Sequence, residues 1–344
     1  MDLFLVFALA PPHIPIGPLA LFLVATCVAP MTVDDSVIAC EIQCPVCGAE
    51  TVHQEVAPAW GEFRSCTSCT LEFAHPLQRG QDPRALFEDA YRGRVSTNAM
   101  DDFRRRVDQR RVILDQLGEP QLWFWTPAFG QVLSWLKRHY PPGSTVLEIG
   151  CGLGFFLHAL RQEGFEAVGL DVAETVVDIN RKDGFHVWHG PVESLPDGWV
   201  QPDVVVAFFM LHHLEDPLSF LRTIRRRAPG AGLALAVYGP TNKGEDASFP
   251  PRTLIRWNAT ALATALRRAG YEPEVHDLAS TGAESGPVRW ARVTLGRTAG
   301  VPWLYRLGKR VERVVLQRLP ADARQESYVV LALAQPRAEP EGNS

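Results

Sequence analysis

"VLEIGCGLGFFL", residues 146–157, places glycines at every second position, Gly150, Gly152 and Gly154, just after a short apolar run that carries Glu148. A glycine-rich turn between a strand and a helix lets the backbone approach a nucleotide without a Cβ clash. The spacing separates the candidate nucleotides. The dinucleotide fingerprint G-x-G-x-x-G needs a third glycine where this chain has Phe155. A phosphate-binding P-loop needs Gly-Lys followed by Ser or Thr, and none follows here.

Outward from this turn the pattern alternates between strands and helices. "TVLEIG" reads as a short buried strand and "FFLHALRQEG" as a helix closed by Gly164. "EAVGLD" is the next strand, "AETVVDINRKDG" the next helix, closed by Gly184, and "HVWHG" follows. "DVVVAFFM" is a continuous apolar strand of the kind covered on both faces. "PLSFLRTIRRRA", "GLALAVY" and "NATALATALRRAG", the last with Asn258 as its cap, continue the series. "YEPEVHDLA" and "ESYVVLALAQ" can close the sheet. Alternation of this kind predicts an α/β fold with an open, doubly wound Rossmann-like sheet over residues 143–336. Residues 81–142 read as a helical linker or lid that ends at Pro141-Pro142-Gly143, and 337–344 as a loose tail.

The E-x-G-x-G-x-G stretch resembles the first motif of class I S-adenosylmethionine-dependent methyltransferases. The resemblance runs on through "FFMLHHLEDPLSFLRTIRRRAPGAGLALAVYG" and "LRRAGYEPE", over roughly residues 125–335. It implies that Gly150, Gly152 and Gly154 cradle S-adenosylmethionine and that Glu148 lies near its ammonium. Asp171 follows Gly150 by 21 residues, where an acid can accept bonds from both ribose hydroxyls. Relatives often carry Gly-Asp-Ala-Glu after the third strand, whose Asp bonds the adenine amine. Here the residues are Gly190, Pro191, Val192 and Glu193, so adenine falls to the Val192 amide or to Glu193. Cys151 reads as a small packed residue. "LHHLED" resembles a segment of sugar methyltransferases whose histidine aligns with His213. Methyl transfer needs alignment and, for a hydroxyl or C–H acid, a base, and histidine is suited to that near neutral pH. His213, with His212 beside it, is the candidate, and a histidine that only pins the turn is the alternative. Tyr91, and Trp123, Phe124 and Trp125, are candidates for a lid over the cofactor.

The seven cysteines include two C-x-x-C pairs, Cys44/Cys47 and Cys66/Cys69, separated by 18 residues. That spacing predicts a closed, structural four-thiolate zinc site, and zinc would help residues 38–80 fold around few apolar side chains. Cys40 is spare; His53 and His75 read as surface residues. "CPVCG…CTSCTLEFAHP…LFEDAY" resembles the zinc-binding segment ahead of sugar C-methyltransferases and of related polysaccharide and natural-product enzymes. Their large third domain has no counterpart in these residues, which leaves a nucleotide-sugar acceptor open.

Residues 1–37 hold two apolar runs, "LFLVFALA" and "LALFLVATCVA", split by "PPHIPIGP". Neither reaches the ~20 residues of a membrane span, and Asp2 does not suit a signal peptide. We read them as an extension outside the folded domains, with Met31 a possible start and a surface anchor as the alternative. The free thiols of a zinc site fit a reducing, cytoplasmic setting. Apolar residues make up 46% of the 344 and the net charge is −5, which supports a sizeable core and argues against a nucleic-acid partner. Basic runs at 104–106, 225–227 and 306–318 read as solvated helix faces. The sequence therefore points to methylation of a small-molecule or saccharide acceptor at oxygen or carbon. An RNA methyltransferase and a non-catalytic cofactor-binding module remain as rivals.

Overall fold

A computed structural model of the chain describes residues 42–57, 61–77, 82–94, 101–115, 117, 128–199, 201–239, 253–281 and 326–337. The expectations for residues 1–37, Cys40, Trp123, Phe124, Trp125, Arg306 to Arg318 and the tail beyond Arg337 lie outside these residues.

Two sheets organise the described chain. The smaller contains β1 (Thr51–Ala57), β2 (Gly61–Cys66) and β3 (Glu72–His75) as an antiparallel series. Helices α1 (Pro83–Arg92), α2 (Asp101–Leu114) and α3 (Gly130–His139) follow. The larger sheet begins with β4 (Thr145–Ile149), which leads through the glycine turn into α4 (Phe155–Gln162). Then come β5 (Glu166–Asp171), α5 (Glu174–Lys182), β6 (His186–His189), β7 (Val204–Phe208), α6 (Pro217–Arg227) and β8 (Gly232–Tyr238). A short β9 (Ile255–Arg256), α7 (Ala259–Arg268), β10 (Tyr271–Thr281) and β11 (Glu326–Pro336) complete the order.

The larger sheet has seven strands in the order β10-β11-β8-β7-β4-β5-β6. The five from β8 to β6 are parallel, while β11 runs antiparallel to both β8 and β10. The last strand thus inserts between two earlier ones, a pairing that periodicity alone does not disclose. Strand order reverses between β4 and β7, and in open α/β sheets ligands bind outside the carboxyl ends at such a switch point.

Side-chain alternation places the core on both faces. Leu147, Ile149, Val205, Ala207, Leu233 and Leu235 pack with α6 and α7 on one side. Val146, Val204, Val206, Ala234 and Ala236 pack with α3 and α4 on the other. The strand read as "DVVVAFFM" ends two residues early, at Phe208. Phe209 takes a left-handed backbone, φ 54°, and stacks on Tyr238 with ring centroids 4.4 Å apart.

β9 adds to the small sheet rather than the large one, pairing Glu72 with Arg256 and Phe73 with Ile255. Leu71 and Phe73 therefore share a core with Leu254, Trp257 and Leu262. The arginines at 225–227 are not simply a solvated face. Arg225 donates to the carbonyls of Pro229, Gly270 and Arg337, and Arg227 to those of Leu195 and Pro196. They tie loops at the end of α6, where cations also suit the helix dipole. Among the described residues no helix is long and apolar enough to cross a membrane.

Gly154 shows why the turn is fixed in sequence. Its φ is +75°, and a Cβ there would lie 1.9 Å from Asn180 Oδ1. Asn180 is fully buried and cannot yield. Gly154→Ala should destabilise the fold by roughly 1–3 kcal/mol, from left-handed strain together with overpacking. Thermal unfolding followed by circular dichroism checks this, and an unchanged midpoint would contradict it.

Candidate functional site

The turn after β4 bends around two side chains from β5 and α5. Asp171, at the end of β5, accepts from the Gly152 amide at 2.8 Å and from the Ala173 amide at 2.9 Å. The Asn180 amide donates to the Gly152 carbonyl at 2.8 Å and to the Val176 carbonyl at 2.9 Å. The glycine turn is thus gripped at its middle peptide. Asp171 is 7% exposed; burial raises its pKa while the amide bonds pull it back.

Glu148 shares the face of β4 that meets α4. It is 3% exposed, and its carboxylate accepts from the Leu157 amide in the first turn of that helix. Its second oxygen, Oε2, is buried without a hydrogen-bond partner. Burial, and then the charge of Asp171, push Glu148 well above the usual carboxylate range. A buried acid with one vacant acceptor is costly unless a donor or cation meets it.

Helix α1 covers this turn. The Tyr91 hydroxyl lies so near Gly152 that a Cβ there would approach it to 3.0 Å. Burial, and then Asp171, hold that phenol well above its ordinary pKa, so it stays protonated. Glu88 fastens α1 in place by accepting from the Thr175 amide at 3.0 Å and its hydroxyl at 2.7 Å. Because Ala173 gives α5 no side-chain cap, Glu88 supplies one from another helix. From α2, Arg110 donates to the Leu153 carbonyl at 2.8 Å and pairs with Asp183 at 2.5 Å. His158 joins the same Asp183 at 2.9 Å, and burial lowers its pKa.

The cleft so formed, about 430 Å³, opens over the carboxyl ends of β4, β5 and β7. Glu148, Gly150, Gly152, Asp171, Val192 and Glu193 line it. Gly154 does not; it serves the packing against Asn180. Val192 is buried and begins a short 3-10 turn, and the preceding Gly190 donates to the Asp171 carbonyl at 2.9 Å. Cys151 is buried with its thiol pKa raised, first by burial and then by Asp171, as befits a packed residue.

His212 and His213 lie on a 3-10 turn, Leu211–His213, after β7. Both line the cleft. His212 is buried, with its ring 3.9 Å from that of His213 and 5.4 Å from that of Tyr238. His213 is half-buried and meets Phe87 edge-on at 5.0 Å. Phe209, Tyr238 and Arg106 complete this wall. The strained Phe209 had no sequence signal, since nothing in an apolar run marks a left-handed residue. Asn180, Glu88 and Arg110 were equally unmarked, because their partners are 28 to 87 residues away.

The four cysteines converge in the small sheet, with every Sγ within 4.8 Å of the others. Cys44 and Cys69 sulfurs are 3.7 Å apart and Cys47 and Cys66 sulfurs 3.3 Å. A tetrahedron of ~2.3 Å Zn–S bonds has edges of ~3.8 Å, so this donor set fits zinc. The Cys69 thiol holds Cys44 down to about 5, while that same contact, with burial, pushes Cys69 up. Amides of Val46, Ser68 and Cys69 point at the sulfurs at 3.3–3.4 Å.

A family model described as a methyltransferase domain matches residues 124–276. Those residues resemble a methyltransferase domain. A protein named "Probable S-adenosylmethionine-dependent methyltransferase" from Mycolicibacterium smegmatis is 30% identical over 163 residues, 43% of this chain and 63% of that protein. A ubiquinone biosynthesis O-methyltransferase from Hahella chejuensis is 32% identical over 105 residues, 28% of this chain and 44% of that protein. The chain thus spans less than two thirds of the length of these curated relatives. Magnesium protoporphyrin IX methyltransferase from Synechocystis, a solved structure, superposes with a TM-score of 0.43 and 14% identity over 75% of this chain and 98% of that one. The matched residues include the glycine turn, Asp171 and the histidine turn, and the cysteine unit precedes them.

Proposed function

We propose that the protein transfers a methyl group from S-adenosylmethionine to a hydroxyl or acidic carbon of a small, ring-bearing acceptor. The observation that carries this reading is the buried, unpartnered Glu148 oxygen beside Asp171, in one cleft with an aromatic and histidine-lined wall. The bound cofactor supplies an electrophilic methyl group. Glu148 would receive its ammonium, Asp171 its ribose hydroxyls, and the Val192–Glu193 turn its adenine. The packed glycine turn keeps those groups at fixed separation, so little ordering is left to occur on binding. Tyr91 and the docked α1 exclude water from the turn.

Across the cleft, Phe87, Phe209 and Tyr238 offer faces and edges to a planar or sugar ring. The name of the Hahella chejuensis relative refers to ubiquinone biosynthesis, which agrees with a ring-bearing small molecule. His213 stands at that wall as the base that accepts the acceptor's proton, backed by His212. The cysteine unit would hold one structural zinc through Cys44, Cys47, Cys66 and Cys69. Incubation with labelled cofactor and a cell extract, followed by mass spectrometry of the metabolites, tests the activity and identifies the acceptor. Label that never leaves the cofactor would count against it.

His213→Ala should lower kcat about 10²–10⁴-fold with cofactor affinity nearly unchanged. His213→Asn can hold the turn but takes no proton. Wild-type turnover by the Asn variant would reduce the residue to a pin. Cofactor affinity should also depend on pH. Only ionised Glu148 attracts an ammonium, and its raised pKa extends the protonated form upward in pH. Affinity measured by calorimetry should therefore fall on acidification from well above the usual carboxylate range and recover as pH rises. Glu148→Gln should bind more weakly and flatten that dependence. For the metal, elemental analysis should find about one zinc per chain, lost in Cys44→Ser.

A further inference from the structure

The cysteine unit touches the rest of the chain at points that lead to the histidine turn. Three backbone or side-chain ties matter. The Ala74 amide, on β3, donates to the Leu254 carbonyl at 2.8 Å, and the Leu254 amide donates to the His212 carbonyl at 2.9 Å. Asn258 uses its amide nitrogen to hold the Thr70 carbonyl at 2.6 Å, in the turn beside Cys69, while its oxygen caps α7 by accepting from Ala261 at 2.9 Å. At the other end of α7, Arg268 donates to the Cys47 carbonyl at 2.5 Å.

The sequence of contacts is therefore short. The second cysteine pair fixes β3, β3 fixes Leu254, and Leu254 fixes the peptide between His212 and His213. Leu254, Ile255 and Trp257 are fully buried, and Arg256 is 4% exposed, paired with Glu72 at 3.3 Å with its guanidinium 3.9 Å over the Phe63 ring. A segment so confined has little freedom to compensate if β3 shifts. The glycine turn, by contrast, is held by Asn180, Asp171 and Arg110, none of which contacts the cysteine unit through these bonds.

We infer that the cysteine unit positions the histidine turn, with Leu254 as the positioning residue, and does not contribute to cofactor binding. The inference rests on the proposed role of His213, yet its main consequence is structural. Loss of the metal should loosen Leu254 and the turn together while the cofactor half of the cleft stays intact.

The test uses the full-length protein with and without its zinc, removed by a chelator. Hydrogen exchange read by mass spectrometry should speed up roughly 10-fold or more in peptides covering 210–214 and 253–257. Protection over 150–157 should not change. Calorimetry with S-adenosylhomocysteine should give the same affinity within about twofold. Transfer of label from saturating S-adenosylmethionine to a cell extract should fall roughly 10- to 100-fold, the penalty of a misplaced group.

If the metal-free protein unfolds, Asn258→Asp decides. It keeps the acceptor that caps α7, loses the donation to Thr70 and leaves all four cysteines in place. The expected result is the same pattern in weaker form, and Asn258→Gly, which removes cap and tie together, should show it at least as strongly. Unchanged exchange at 253–257 in zinc-free folded protein, or in Asn258→Asp, would overturn the inference. A parallel fall in S-adenosylhomocysteine affinity would overturn it too, since the unit would then be a general scaffold. Absence of methyl transfer by the zinc-loaded wild type would instead refute the proposed function and leave the exchange result standing.

Discussion

One carboxamide, that of Asn180, holds the glycine turn in the shape on which the cleft depends. It sits in the space a Cβ on Gly154 would need, and its nitrogen takes the Gly152 carbonyl. Its grip leaves the Gly152 amide facing Asp171, which accepts it. Removing either bond would leave a buried polar group unpaired, a loss of about 1–3 kcal/mol per group. The turn is therefore rigid because its alternatives are expensive. The position of Asp171 and the start of α4 both follow from it.

The turn itself was legible because its chemistry is local. Positive φ at Gly150, Gly152 and Gly154 shows directly as glycine, and the acid at the end of the next strand falls at a fixed distance along the chain. The parallel strands were legible for a similar reason, since burial on both faces demands unbroken apolar runs. The cysteine pairs were legible from spacing alone. The insertion of β11 between β8 and β10 was not, because edge and interior antiparallel strands share the same alternation. The addition of β9 to the cysteine sheet was hidden too. It is two residues long and pairs across more than 180 residues of sequence, Glu72 with Arg256. The arginines at 225–227 looked like a solvated face because a side chain that ties remote carbonyls reads the same, in sequence, as one that meets water.

Helices α1 and α2 reveal how the site is covered without a large lid core. Phe87 and Tyr91 of α1 and Val107 of α2 pack on Leu153, Ala173 and Val176, and charge-assisted bonds add to that contact. Glu88 caps α5 and Arg110 holds both Leu153 and Asp183. Such bonds are directional, so they set where Tyr91 and Arg106 meet the cleft as well as adding stability.

Two buried acids a short way apart would be a poor design for a site with no cationic ligand. Glu148 and Asp171 are both buried with raised pKa values, from burial first, and the charge of Asp171 adds to the rise at Glu148. Asp171 offsets part of this with amide bonds from Gly152, Val172 and Ala173. Glu148 has the Leu157 amide and nothing on its second oxygen. The imbalance falls on the residue nearest the centre of the switch point. A ligand carrying an ammonium would correct it directly, with the desolvation of Glu148 already met by folding. The vacant Glu148 oxygen would thus give the cleft a preference for a ligand that donates to it. A neutral or anionic nucleotide at the same turn would leave that preference unmet.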